Sequence, residues 1–165
     1  MFETIQYSGS REKDYELVIK QLDILLEGES NQIANLSNAA ALLNHFLNDI
    51  NRVGFYLTDE NKQANNQLVL GPFQGLPACI RIPFGKGVCG TAAETRLTQV
   101  VPNVHEFPGH IACDSASNSE IVIPLVINND VYGVLDIDSP SLDRFDDVDK
   151  QYLEKFCNIL IKHLQ

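Results

Sequence analysis

Two apolar runs, residues 121–127 and 131–137, flank the tripeptide Asn128-Asn129-Asp130. A polar connection this short between two strand-length runs folds them back on each other as a tight antiparallel hairpin. Most of the chain has to be arranged around that unit. Residues 52–57 and 67–70 repeat the theme as a second hairpin, joined by a polar turn over 58–66. Short strands are expected at 78–82 and 99–101, with a short helix at 88–94 after Gly85-Lys86-Gly87.

Helical periodicity brackets these strands. Tyr15, Val18, Leu22 and Leu25 mark a helix over 14–26 that stops at Gly28. Ile33, Leu36, Ala40 and Leu43 mark a second over 31–47, with Ser30 or Asn31 as its cap. Val148, Tyr152, Phe156 and Leu160 mark a third over 146–164. Helices at both ends with hairpins between them predict an α+β fold, an antiparallel sheet with the terminal helices on one face. The expectation is a single domain over residues 1–165, with 1–12 as a flexible N-terminal segment.

A chain of 165 residues buries a core without disulfide support, and four cysteines are too few for a secreted disulfide scaffold. The net charge of -10 excludes nucleic acid and disfavours an anionic membrane surface. No apolar run is long enough to span a bilayer, and Met1-Phe2-Glu3-Thr4 does not open a secretory signal. A cytoplasmic protein with reduced thiols is expected.

The cysteines carry the chemical signal. Cys157 falls in the apolar pattern of the last helix and reads as core, whereas Cys79, Cys89 and Cys113 fall in a loop-rich stretch. The loop 102–118 is long enough to be a lid or binding element, and it holds His105, His110, Cys113 and Asp114. Cys89 falls in the first turn of the short helix, where the helix dipole is expected to lower a thiol's pKa. That helix start, not a full phosphate loop, could hold a carboxylate. A Cys/His nucleophile and a zinc site of Cys79, Cys89, His110 and Cys113 are weak readings, because the cysteines lack metal-site spacing. Several thiols together fit redox chemistry, in which one attacks and another resolves. Read alone, four inert cysteines fit equally well.

Strand alternation puts Asp136 and Asp138 on one face with Tyr132 and Val134, and Leu135 and Ile137 on the other. Glu120 opens the opposing arm of the hairpin and can join them. Acids gathered among apolar neighbours are candidates for raised pKa values, although strand ends also expose acids that do nothing.

Six ordered blocks make the pattern specific. They are Leu70-Gly71-Pro72-Phe73-Gln74-Gly75, Cys79-Ile80-Arg81-Ile82-Pro83, Gly87-Val88-Cys89-Gly90-Thr91-Ala92, His110-Ile111-Ala112-Cys113-Asp114, Ser117-Asn118-Ser119-Glu120-Ile121-Val122 and Gly133-Val134-Leu135-Asp136-Ile137-Asp138-Ser139. Together they resemble the free methionine-(R)-sulfoxide reductases, which are stand-alone GAF domains. The resemblance implies a GAF fold, often dimeric, and reduction of the R sulfoxide of free methionine, with no metal and no cofactor. It implies Cys113 as the attacking thiol, with Cys79 and Cys89 in resolution and disulfide exchange, in an order left open. Glu120, Asp136 and Asp138 would contact the substrate beside Tyr56, and Glu120 or Asp138 would protonate the sulfoxide oxygen. A thioredoxin-type dithiol would restore the thiols.

The chemistry agrees with that set. Attack of a thiolate on a sulfoxide sulfur requires a proton for the oxygen, and a buried carboxyl cluster can hold one near neutral pH. One departure stands out: many relatives carry tryptophan where this chain has Arg52. The arginine could stack on Tyr56, pair with an acid or swing out to solvent. A non-catalytic GAF module binding a small ligand such as a cyclic nucleotide is the alternative.

Overall fold

The computed structural model describes residues 2–60 and 66–165. The elements in chain order are α1 (Arg11–Leu26), α2 (Gln32–Phe46), β1 (Arg52–Thr58), β2 (Gln67–Gly75), β3 (Arg81–Pro83), α3 (Gly87–Thr95), β4 (Gln99–Val101), β5 (Ser119–Ile127), β6 (Asp130–Ser139) and α4 (Asp147–Lys162). A single 3-10 turn, Val104–Glu106, interrupts the long loop. The strands form one sheet in the order β3-β2-β1-β6-β5-β4, and every pairing is antiparallel.

The sheet separates two cores. Val53 and Phe55 of β1, Ile121, Ile123 and Leu125 of β5, and Leu135 and Ile137 of β6 face α1, α2 and α4. The other face of the same strands offers Tyr56, Val122 and Val134 to α3 and to Val104 of the long loop. Alternation with period two produces both faces from one set of residues. The terminal helices therefore share one face, as expected, and α3 with the loop covers the other.

Local chemistry explains the boundaries. The Asn31 side chain accepts from the Ala34 N–H and caps α2, so the cap is Asn31 and not Ser30. Asp146 and Asp149 form a reciprocal capping box at the start of α4. In α3, a Cβ on Gly90 would strike the Pro83 carbonyl, so glycine lets this helix lie against the end of β3. Gly87, at φ +61°, adopts the left-handed turn that opens α3.

Several sequence expectations need correction. Ile33 is 68% exposed, because α2 turns that position away from the sheet. The strand expected at 78–82 is only Arg81–Pro83, and Cys79 precedes it in irregular chain. The second arm of the first hairpin runs to Gly75. Positions 61–65 of the expected polar turn lie outside the described residues.

Tyr132 does not share a face with Asp136. The β5–β6 register slips between Leu125 and Val126, which flips Tyr132 to the helix side, where its hydroxyl donates to Gln32 Oε1 at 2.9 Å. The loop 102–118 is more structured than expected. Asn118 closes its base with bonds to the backbone of Ser139 and Pro140, and the Val104 N–H donates to the Asn118 carbonyl.

Candidate active site: thiols over a buried carboxylate row

The sheet register builds the floor. Arg52 of β1 faces Asp138 of β6, and Asp138 faces Glu120 of β5, so three charged residues form a row across three strands. Asp136 lies two residues before Asp138, on the same face, opposite Gly54 and Val122. All four are buried. The sequence expectation that Glu120 joins the two aspartates from the opposing arm is met.

Burial dominates the acids' electrostatics. It pushes the Glu120 carboxyl well above its ordinary range, and the nearby charges of Asp136 and Asp138 push it further. Asp138 is raised in the same way, by burial first and then by Asp136; the hydrogen bond from Ser117 and the charge of Arg52 oppose the rise. These two groups hold protons at a pH where a surface acid is ionised.

Arg52 takes two of its three open courses at once. Its Nε donates to Asp136 Oδ2 at 3.0 Å, and its guanidinium lies over Tyr56 at 5.1 Å and Phe73 at 4.7 Å from the ring centroids. It does not swing into solvent, being 3% exposed. The ion pair falls on Asp136, which leaves Glu120 and Asp138 as the proton-bearing acids.

Thiols form the roof. Cys79 and Cys113 are joined in a disulfide with a Cα–Cα distance of 5.3 Å, and both are half-buried. The Tyr56 hydroxyl donates to the Cys79 carbonyl at 2.9 Å, tying the loop before β3 to the sheet. Asn51 Nδ2 donates to Asp114 Oδ2 at 2.9 Å and to Ser117 Oγ at 3.0 Å, and Ser117 Oγ donates to Asp138 Oδ2. A chain of hydrogen bonds thus connects the loop carrying Cys113 to the floor.

Cys89 remains a free thiol, buried at the start of α3, with Sγ 3.8 Å from Glu120 Oε1. Its pKa is not lowered, contrary to expectation. Burial raises it well above the ordinary thiol value, and Asp136, Glu120 and Asp138 add to the rise. Desolvation and three acids outweigh the helix dipole. Cys157 is buried among apolar side chains of α4, as the sequence indicates.

The residues between roof and floor enclose a cavity of about 30 Å³, lined also by His110, Gly87 and Val88. The weak zinc reading of Cys79, Cys89, His110 and Cys113 finds no assembled ligand set, because Cys79 and Cys113 spend their sulfurs on each other. Among the described residues, Cys89, Glu120 and Asp136 bring possible ligand atoms within 4.8 Å of one another. Arg52 already occupies Asp136 there, and its charge opposes a cation. Cys113 and His110 do not form a nucleophile pair; His110 Nε2 lies 3.9 Å from Glu120 Oε2, and burial lowers its pKa.

Sequence reasoning missed three contributors. Phe73 is in a quoted block but gave no sign of stacking, since that depends on the β1–β2 register opposite Gly54. Asn51 and Ser117 are ordinary polar residues, whose role appears only when loop and sheet meet. Among the described residues, no helix is long and apolar enough to cross a membrane.

Comparison with known proteins places this geometry. A model of the GAF domain family matches residues 32–164. Protein YtsP of Bacillus subtilis (strain 168) is 54% identical over 164 residues, 99% of each chain. The free methionine-R-sulfoxide reductase of Escherichia coli (strain K12) is 51% identical over 145 residues, covering 88% of this chain and 85% of its own. The structure of free methionine-R-sulfoxide reductase from Neisseria meningitidis, in complex with its substrate, superposes with a TM-score of 0.93 at 42% identity and covers 99% of this chain and 96% of that one. With matches of this extent and identity, the chain belongs to the GAF-domain family and, within it, to the free methionine-R-sulfoxide reductases.

Proposed function

We propose that this protein reduces the R sulfoxide of free methionine to methionine and carries the oxidising equivalents away as the Cys79–Cys113 disulfide. The observation that carries the reading is the disulfide itself, closed over a floor of buried carboxyls that hold protons. Relatives with the same activity in their names support the substrate.

The steps balance as follows. The Cys113 thiolate attacks the sulfoxide sulfur while Glu120 or Asp138 donates a proton to its oxygen. The hydroxyl passes from the methionine sulfur to the Cys113 sulfur as the S–O bond and the transient S–S bond break, methionine departs, and Cys113 is left as a sulfenic acid. The Cys79 thiol then attacks the Cys113 sulfur, the hydroxyl leaves as water, and the disulfide forms. One sulfoxide is reduced, two thiols are oxidised and one water is released.

A thioredoxin-type dithiol restores Cys79 and Cys113, whose half-buried bridge is within reach of an external thiolate. The pairing supports Cys79 as first resolving thiol. Cys89, kept protonated by burial, is a slow nucleophile better suited to later exchange. Tyr56, Glu120, Asp136 and Asp138 contact the substrate in this reading, with an ionised acid facing its ammonium group. A homodimer in a reducing cytoplasmic compartment completes it.

The test is direct. The separated R and S epimers of free methionine sulfoxide are supplied with a thioredoxin regenerating system, and methionine formed is measured. Product from the R epimer alone is expected. No product from either epimer, with a folded and fully reduced protein, would return the chain to the class of small-ligand binding modules.

A further inference from the structure

The Arg52 guanidinium is anchored but only partly used. Asp136 takes its Nε, and Tyr56 and Phe73 fix its plane. Nη1 and Nη2 are buried and have no hydrogen-bond partner, in a side chain 3% exposed that lines the cavity. A guanidinium stays charged in a protein, and its planar fork presents donors in fixed directions. Bare buried donors are costly and require explanation; at a site, a ligand acceptor supplies it.

We propose that Nη1 and Nη2 of Arg52 donate to the sulfoxide oxygen of the substrate, an inference that rests on the reductase reading above. The acids around the guanidinium fix the meeting point. Arg52 Nε bonds Asp136 Oδ2, and the charge of Arg52 acts on both Asp138 and Glu120. Arg52, Glu120, Asp136 and Asp138 line one small cavity. An oxygen placed there to receive the proton of Glu120 or Asp138 therefore comes within reach of the guanidinium. As Cys113 attacks, negative charge grows on that oxygen, and donors already aimed at it stabilise the growing charge without reorganising.

The other polar ends of the substrate have other partners. Asp136 Oδ1 is an unpartnered acceptor suited to an ammonium group. The N-terminal turn of α3, whose Gly87 and Val88 line the cavity, offers N–H groups to a carboxylate. Arg52 thereby reads the one group that distinguishes substrate from product.

Binding without turnover tests this in a reduced Cys113→Ser background, with three probes: methionine-(R)-sulfoxide, its α-methyl ester, and methionine. Arg52→Met is expected to weaken the sulfoxide and its ester at least about tenfold, the loss of a charge-assisted bond, and to change methionine affinity by no more than about twofold. The double variant Arg52→Met/Asp136→Asn, which leaves no stray charge, should show the same loss of preference for sulfoxide over methionine. Equal weakening of sulfoxide and methionine overturns the inference, because Arg52 would then only shape the pocket. So does an effect that vanishes with the ester, which would assign the contact to the carboxylate. Recovered sulfoxide preference in the double variant, or no effect at all, also overturns it. Failure of the unsubstituted enzyme to reduce the R epimer sinks the reductase reading instead.

Discussion

Asp149 and Asp138 are both buried aspartates, on opposite sides of one sheet, and their surroundings could hardly differ more. Asp149 receives hydrogen bonds from the Tyr15 hydroxyl at 2.6 Å and the Asp146 N–H at 3.1 Å, with the Arg11 and Arg144 guanidinium groups also against it. Asp138 has one hydroxyl donor, Ser117, and an oxygen with no partner. The contrast is general. Of the seven buried polar side-chain atoms without a partner among the described residues, five belong to Asn51, Arg52, Asp136 and Asp138. The helix face satisfies its charges and holds the fold together. The α3 face leaves donors and acceptors bare, which costs stability and keeps them free for a ligand.

The strongest challenge to that division is a pair of deletions, one on each side. Phe156→Ala removes a fully buried ring from the helix-face core and should cost about 3–5 kcal/mol in urea unfolding of the reduced protein. Turnover per folded molecule should survive. Cys113→Ser should abolish turnover and change stability by less than about 1 kcal/mol. A Cys113→Ser protein that unfolded as readily as Phe156→Ala would erase the distinction.

Ligand access divides the two faces again. In the disulfide-bonded state the cavity of about 30 Å³ has room for a couple of waters, far below the roughly 300–1,000 Å³ of a small-molecule pocket. Calorimetry on the oxidised enzyme should show no binding of methionine-(R)-sulfoxide, and full reduction of a Cys113→Ser sample should restore it. Binding to the oxidised form would mean that the roof does not control entry.

Glu120→Gln should move rate and stability in opposite directions. Loss of a proton donor lowers the sulfoxide step by about 10²–10⁴-fold. Stability should rise, and the sign follows from linkage. The folded-state pKa lies above the ordinary 4.5, so the native protein binds this proton more tightly than the unfolded chain. Stability therefore falls as pH climbs from the unfolded value toward the raised one, and glutamine removes that fall. The gain is read as a Tm of the variant above that of the unsubstituted protein at pH 7. If the Tm of the variant dropped at pH 7 and its pH profile stayed unchanged, the acid row would not be the stored cost described above.

Most of the fold was legible because it depends on local periodicity. The hairpin around Asn128-Asn129-Asp130, the cores of α1 and α4, and the acid pair Asp136/Asp138 all follow from spacing along single elements. What failed depended on relations between elements. Tyr132 changed face because the β5–β6 ladder slips, an event written in two strands at once. Cys89 acquired a raised pKa because the fold buries it and sets three acids from other elements around it, which the helix start alone could not foretell. Arg52 posed a question in the sequence that only the packing of its side chain against Asp136, Tyr56 and Phe73 could answer.

The smallest expected effects come from two tyrosines, and they separate the faces most cleanly because the substitution is the same. Tyr15 and Tyr56 are both almost fully buried, and each hydroxyl donates one hydrogen bond. Tyr15 donates to Asp149, so Tyr15→Phe should cost about 1–2 kcal/mol, as expected for a bond to a charged group, and leave turnover unchanged. Tyr56 donates to the Cys79 carbonyl, a neutral acceptor at the edge of the roof. Tyr56→Phe should cost about 1 kcal/mol or less. Its mark should appear in the rate at which Cys79 closes on Cys113 after a single turnover, read as thiol loss in a rapid quench, because freeing that carbonyl lets Cys79 drift from its partner. A few-fold slowing confined to that step would place Tyr56 in the resolving chemistry. Slowing of methionine release with unchanged disulfide closure would move its role to the substrate instead.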